Sequence, residues 1–143
     1  MPDILHDFPV TATLERVFAA FATPQGLHAW WTLRASGEPR PGATYDFFFG
    51  PSYDWRAVVS RLDPGRLIEW EFTQADADWH GTKVGVELTL VGGDTHVQFW
   101  HRGWREANAH FRTSSFCWAM YLRLLKRWSE AGVVVPYDRR LDA

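Results

Sequence analysis

The side chains best suited to proton transfer, acyl transfer or metal binding are six histidines, at positions 6, 28, 80, 96, 101 and 110, and one cysteine, Cys117. No two histidines stand four residues apart and no H-E-x-x-H occurs, so the spacing of a helical metal site is missing. Cys117 lies in the middle of an amphipathic segment, without the strained turn or obvious histidine partner that activates a thiol, and reads as a small core hydrophobe. G-x-S-x-G, P-loop and G-x-G-x-x-G patterns are absent, so no cofactor is expected.

His101 is the polar residue whose placement suggests chemistry. Alternation along 95–103 puts Val97, Phe99 and His101 on one face, opposite Gln98, Trp100 and Arg102. If Val97 and Phe99 point inward, so does His101, at the strand end where a cavity would open. There it could orient a ligand oxygen or act as acid or base. The plainer alternative is a histidine at the sheet's rim bonded to a backbone carbonyl, since no paired carboxylate is evident. Ser114, Ser115 and Tyr121 stand on or near the apolar face of the last helix. They either line a pocket or, for the serines, bond back to carbonyls one turn earlier.

The elements that must position these residues follow from periodicity. Segment 4–10 alternates as a half-buried strand. Thr13 caps a helix carrying Leu14, Val17, Phe18 and Phe21, and Thr23-Pro24 opens a second with Leu27, Trp30 and Trp31. Strands are expected at 43–49, 54–62, 66–73, 83–90 and 95–103, separated by turn residues such as Asp63-Pro64-Gly65 and Gly92-Gly93-Asp94. That makes six strands, with short connections that dictate antiparallel neighbours. A long helix over 107–131 places Phe111, Ser114, Trp118, Tyr121, Leu122, Leu125 and Trp128 on one face. Arg112, Arg123, Lys126, Arg127 and Glu130 fall on the other. Such a helix needs a broad apolar surface, which the inner faces of the strands supply. The expected fold is therefore α+β, one domain over 1–143.

Composition excludes several functions. A formal net charge of −2 with no basic run removes the footprint of a nucleic-acid binder. No apolar run approaches the roughly 18 residues of a membrane span, and the N-terminus has no signal-peptide pattern, so the expected address is the cytoplasm. A single cysteine permits no internal disulfide. Aromatics are 16% of the chain, with nine Trp and ten Phe, and rigid flat side chains tend to line pockets. Phe48, Trp100 and Trp104 fall on the outer side, as a partner surface or covered by neighbours. The segment Val133 to Tyr137 is too apolar to float free and is expected to dock on the domain or on a second copy, as in a homodimer.

The segments Thr11 to Trp31, Leu62 to Phe72, His101 to Trp104 and Trp118 to Gly132, in this order of elements, resemble the helix-grip fold of the START superfamily. Within it the chain is similar to proteins related to the activator of the heat-shock-ninety chaperone ATPase. It departs from that family's pattern at Leu14, where Pro is common, and at Pro41-Gly42, where Gly-Gly is. The resemblance implies a curved sheet wrapped on the C-terminal helix, with a cavity between them for a small apolar or aromatic molecule. Its wall would take Phe47, Phe49, Trp70, Phe72, Val86 and Phe99 from the strands, Ser114, Trp118 and Tyr121 from the helix, and His101 at the strand end. Because this fold hosts several activities, three readings stand: a binder of such a molecule, a cyclase- or hydrolase-type enzyme using the same cavity, and a chaperone partner acting through its surface.

Overall fold

The computed structural model describes residues 1–143. Its strands are β1 (Ile4–Val10), β2 (Arg34–Ser36), β3 (Thr44–Phe48), β4 (Asp54–Asp63), β5 (Leu67–Gln74), β6 (Lys83–Val91) and β7 (Asp94–Arg102). They form one sheet in the order β1-β7-β6-β5-β4-β3-β2, antiparallel throughout. The helices are α1 (Leu14–Ala22), α2 (Pro24–Trp30) and α3 (Ala109–Ala131), followed by a 3-10 helix at Tyr137–Asp142. The architecture is the α+β helix grip, but the strand count of six is corrected to seven. The additional strand, β2, has three residues and pairs only with β3, too short a run for alternation to register.

Local chemistry sets the boundaries. Thr13 and Thr23 accept N-cap bonds from Arg16 and Gly26, and Asn108 accepts one from Phe111, so α3 starts at Ala109 rather than at 107. Gly132 ends α3 in the left-handed region at φ 69°. The β6–β7 hairpin turns on Gly92 and Gly93, both at positive φ, as a two-residue primed turn requires.

The inner face of the sheet buries Tyr45, Phe47, Trp70, Phe72, Val86, Leu88, Val97 and Phe99 against Trp118, Leu122 and Leu125 of α3. Trp128, expected inside, is only half-buried, with the Arg16 guanidinium over its ring at 4.8 Å. Arg16 also donates to the carbonyls of Ser129 (2.7 Å) and Trp128 (3.0 Å). It therefore satisfies the open C-terminal end of α3 from α1.

Two outer-side aromatics are not on a free surface. Trp104 is 1% exposed. Trp100 lies flat over Gly85, where a Cβ would come within 2.6 Å of its ring, and its indole N–H donates to Glu69 at 2.9 Å. The tail is ordered, though by polar anchors rather than by its valines. Arg140 donates to the carbonyls of His28, Thr32 and Val135, and the Tyr137 hydroxyl donates to that of Phe49. Val135 packs on the core, while Val133 and Val134 are 40% and 51% exposed on the single chain.

His101 does face inward, but its expected place at the rim is corrected: it has no exposed surface. Trp79 and Trp104 cover it, with ring centroids at 4.5 and 4.8 Å. The Trp118 indole N–H, which can only donate, meets Nδ1 at 3.1 Å, so the ring proton sits on Nε2. Nε2 lies 2.8 Å from Thr82 Oγ1 and donates to it, while the Thr82 hydroxyl donates to the Trp79 carbonyl at 2.6 Å. Burial, helped by the nearby His110, pushes the imidazole down to about 3.

Two outcomes follow from this packing. Leu125→Ala should cost about 2–5 kcal/mol in urea unfolding, as truncation of a fully buried leucine does; a loss below half a kilocalorie would mean the α3 interface is loose. His101 stays neutral in the fold but binds a proton in the unfolded chain below its ordinary value of 6.5. Its contribution is therefore complete above that pH and is lost as pH falls towards 3. The stability gap between wild type and His101→Gln should narrow by about 1.4 kcal/mol per pH unit between about pH 6 and pH 4. A gap independent of pH would show that the imidazole is protonated in place.

Candidate functional site

The N-terminal half of α3 stands away from the β3–β4 hairpin, leaving a cavity of about 260 Å³ open to solvent. Trp31 follows α2, Phe49, Tyr53 and Trp55 come from the β3–β4 hairpin, and Trp79 comes from the β5–β6 loop. Tyr137 belongs to the 3-10 helix, and α3 supplies His110, Thr113, Ser114, Cys117, Trp118 and Tyr121. Eight of these twelve residues are Phe, Trp or Tyr, and none is Lys, Arg, Asp or Glu. The α3 residues recur at 110, 114, 117–118 and 121, the stripe a helix presents to one side.

Large rings meeting small side chains account for the space. Trp118 packs on Phe99, Trp31 and Trp79, with centroids at 4.6, 4.8 and 5.8 Å, while its neighbours Ser114 and Cys117 are too short to reach the hairpin aromatics. Trp55 packs tilted on Trp79 at 4.7 Å and edge-on against Phe49 at 5.4 Å, closing the opposite wall.

Of the residues expected on the sequence to form a wall, Phe49, Ser114, Trp118 and Tyr121 come together on this cavity. Phe47, Trp70, Phe72, Val86, Phe99 and His101 do not line it; they are buried in the core behind it. Both nitrogens of His101 are committed to Trp118 and Thr82, and neither faces a carboxylate. It cannot act as an acid or base towards the cavity without breaking the core.

The imidazole that does line the cavity is His110. Its Nδ1 donates to Asp78 at 2.9 Å, and its Nε2 lies 3.9 Å from Asp76. Sequence reasoning passed over it because Asp78 comes from the β5–β6 loop, 32 residues away. The usable signal was the α3 stripe itself, in which His110 stands one turn before Ser114. Tyr121 lines the other end, and its hydroxyl has no partner within the protein, unlike those of Tyr45 and Tyr137. Burial raises the pKa of Tyr121, with contributions from Tyr137 and Cys117, against a lowering by Arg140. Burial likewise pushes the Cys117 thiol up, so it is a poor nucleophile here.

Chemically, the site can bury a flat apolar molecule, donate a hydrogen bond at Tyr121 and accept or move a proton at His110. Three or more His, Cys, Asp or Glu side chains nowhere gather as a metal site would require, and no helix is long and apolar enough to cross a membrane.

Comparison with known proteins places this architecture. A search of curated proteins finds no match. Among solved structures, the Aha1 dimer of Colwellia psychrerythraea is 30% identical with a TM-score of 0.83, over 92% of this chain and 98% of that one. A protein of Staphylococcus saprophyticus is 19% identical with a TM-score of 0.79, covering 94% and 96%. CalU16 of Micromonospora echinospora is 17% identical with a TM-score of 0.74, covering 91% and 77%; these last two share the fold. The family model described as activator of Hsp90 ATPase homolog 1-like protein matches residues 11–130. The chain that builds this aromatic cavity therefore belongs to the activator of Hsp90 ATPase homolog 1-like family.

Proposed function

We propose that the protein binds a small apolar or aromatic molecule in the cavity between the β3–β4 hairpin and α3. The observation that carries this reading is the cavity wall itself: eight aromatic side chains and no Lys, Arg, Asp or Glu around about 260 Å³. An apolar hollow with a few convergent polar groups is the usual form of a small-molecule site, and this volume, just under the usual range of about 300–1,000 Å³, suits a small ligand. Aromatic faces supply the burial, and Tyr121, Ser114 and His110 fix orientation.

A second reading, an enzyme using the same cavity, is favoured by one observation, the His110–Asp78 pair at its mouth. Asp78 holds the Nδ1 proton and leaves Nε2 as the base. A homodimer is motivated by the dimeric Colwellia relative and by Phe116 and Leu141, 77% and 70% exposed beside one groove on the outer side of α3. A chaperone partner rests on the family's description alone.

Cys117 is the only cysteine and lines the cavity, so its alkylation reports occupancy. Neutral naphthamide should slow iodoacetamide modification several-fold, and native mass spectrometry of fresh protein should show a co-purifying small molecule. Ser114→Phe should fill the space, abolish the protection and leave the melting temperature unchanged or raised, because added apolar atoms gain contacts where volume is empty. In a filled core the same change would cost about 1–3 kcal/mol. Unaltered alkylation rates, no co-purifying molecule and a melting point several degrees lower for Ser114→Phe would together remove the binding reading.

A further inference from the structure

Behind Tyr137 of the cavity wall lies a buried charge that the apolar reading does not use. Arg140 is 2% exposed, and no carboxylate lies within 4.0 Å of it. Its donors go to three backbone carbonyls, at 2.8 to 3.3 Å. Carbonyl dipoles satisfy its hydrogen bonds but leave a whole positive charge in a poorly solvated place, where buried charges are normally paired. The guanidinium stands 5.4 Å from the Tyr137 ring, and its charge bears on both Tyr121 and Tyr137, the two phenols that line this end of the cavity. Tyr121 has a free hydroxyl there.

We propose, on the footing of the binding reading above, that the cavity takes an aromatic oxyanion, an aryl carboxylate or a phenolate. Its negative oxygen accepts from the Tyr121 hydroxyl under the charge of Arg140, and its rings lie along Trp118 towards His110. The ligand thereby supplies the counter-charge that the protein lacks.

The aromatic wall would also suit an organic cation, drawn by Asp76 and Asp78 beyond His110. Exposure decides between the two. The side chains of Asp76 and Asp78 are 41% and 38% exposed, and Asp78 is already bonded to His110, so water and salt screen them. Arg140 acts from inside the fold, where the effective dielectric is roughly a quarter that of water and each unit of charge counts about four times as much.

The test uses three probes of one shape, naphthoate, naphthamide and naphthylmethylammonium, titrated against intrinsic tryptophan fluorescence. Naphthoate should bind the wild type about tenfold more tightly than naphthamide, since a charge-assisted hydrogen bond adds about 1.4 kcal/mol. Tyr121→Phe, which keeps the ring and removes a hydroxyl that no protein group uses, should cut that ratio to about threefold or less, because the charged naphthoate loses more than the neutral naphthamide when the donor is removed. Equal binding of all three probes would overturn the anion inference and leave the apolar reading standing. Tighter binding of the ammonium would assign the cavity to cations. A ratio unmoved in Tyr121→Phe would remove Tyr121 as the anchor, and no binding by any probe would overturn both readings.

Discussion

The structure turns on one hydrogen bond, from the Trp118 indole to Nδ1 of a histidine that never meets water. That bond fixes the tautomer of His101, which fixes Thr82 as its acceptor, which in turn commits the Thr82 hydroxyl to the Trp79 carbonyl. Four polar groups from α3, β7 and the β5–β6 loop are thus satisfied in a chain with no spare donor. A neutral ring in such a chain costs little, whereas a charged one would need solvation that the surrounding indoles cannot give. The core therefore selects both a rotation of α3 and a position for the loop.

The cavity is a consequence of that selection. With Trp118 held against the sheet at Phe99 and His101, the preceding turns of α3 present Ser114, Cys117 and Thr113 to the hairpin aromatics. Those side chains are too small to close the distance. The wall on the far side is stiffened by its own contacts, Trp55 on Trp79 and Trp31 on Phe47, with centroids at 4.7 and 5.1 Å, so it does not collapse inward. Tight packing behind and sparse packing in front are two sides of one arrangement.

Much of the fold was legible because it depends on period. Tyr45, Phe47, Trp70, Phe72, Val86, Leu88, Val97 and Phe99 are buried where alternation places them, and Leu122 and Leu125 where the helical stripe does. What escaped depends on pieces that meet across the chain. β2 is too short to show a period. The depth of His101 depends on Trp79 and Trp104, which come from loops. His110 becomes a cavity residue through Asp78, and Arg140 is held inside the fold by the carbonyls of His28 and Thr32, more than a hundred positions earlier. Sequence pattern located the face of α3 that holds Ser114, Trp118 and Tyr121, but the neighbouring hairpin and loop decide which part of that face is open.

The pairing of β1 with β7 has a bearing on how the molecule forms. The register sets Ile4 opposite His101, so the first strand can complete the sheet only after nearly everything else exists. Contacts of that sequence separation are slow to close, because the intervening loop must give up its freedom before any bond rewards it. Until β1 arrives, β7 is an edge strand with Val97, Phe99 and Trp100 beside a row of open backbone groups. Such an edge can also accept the β1 of another molecule when the protein is concentrated, and exchange of that strand between chains would preserve every bond in the sheet. Refolding at high protein concentration should therefore be this molecule's most vulnerable moment.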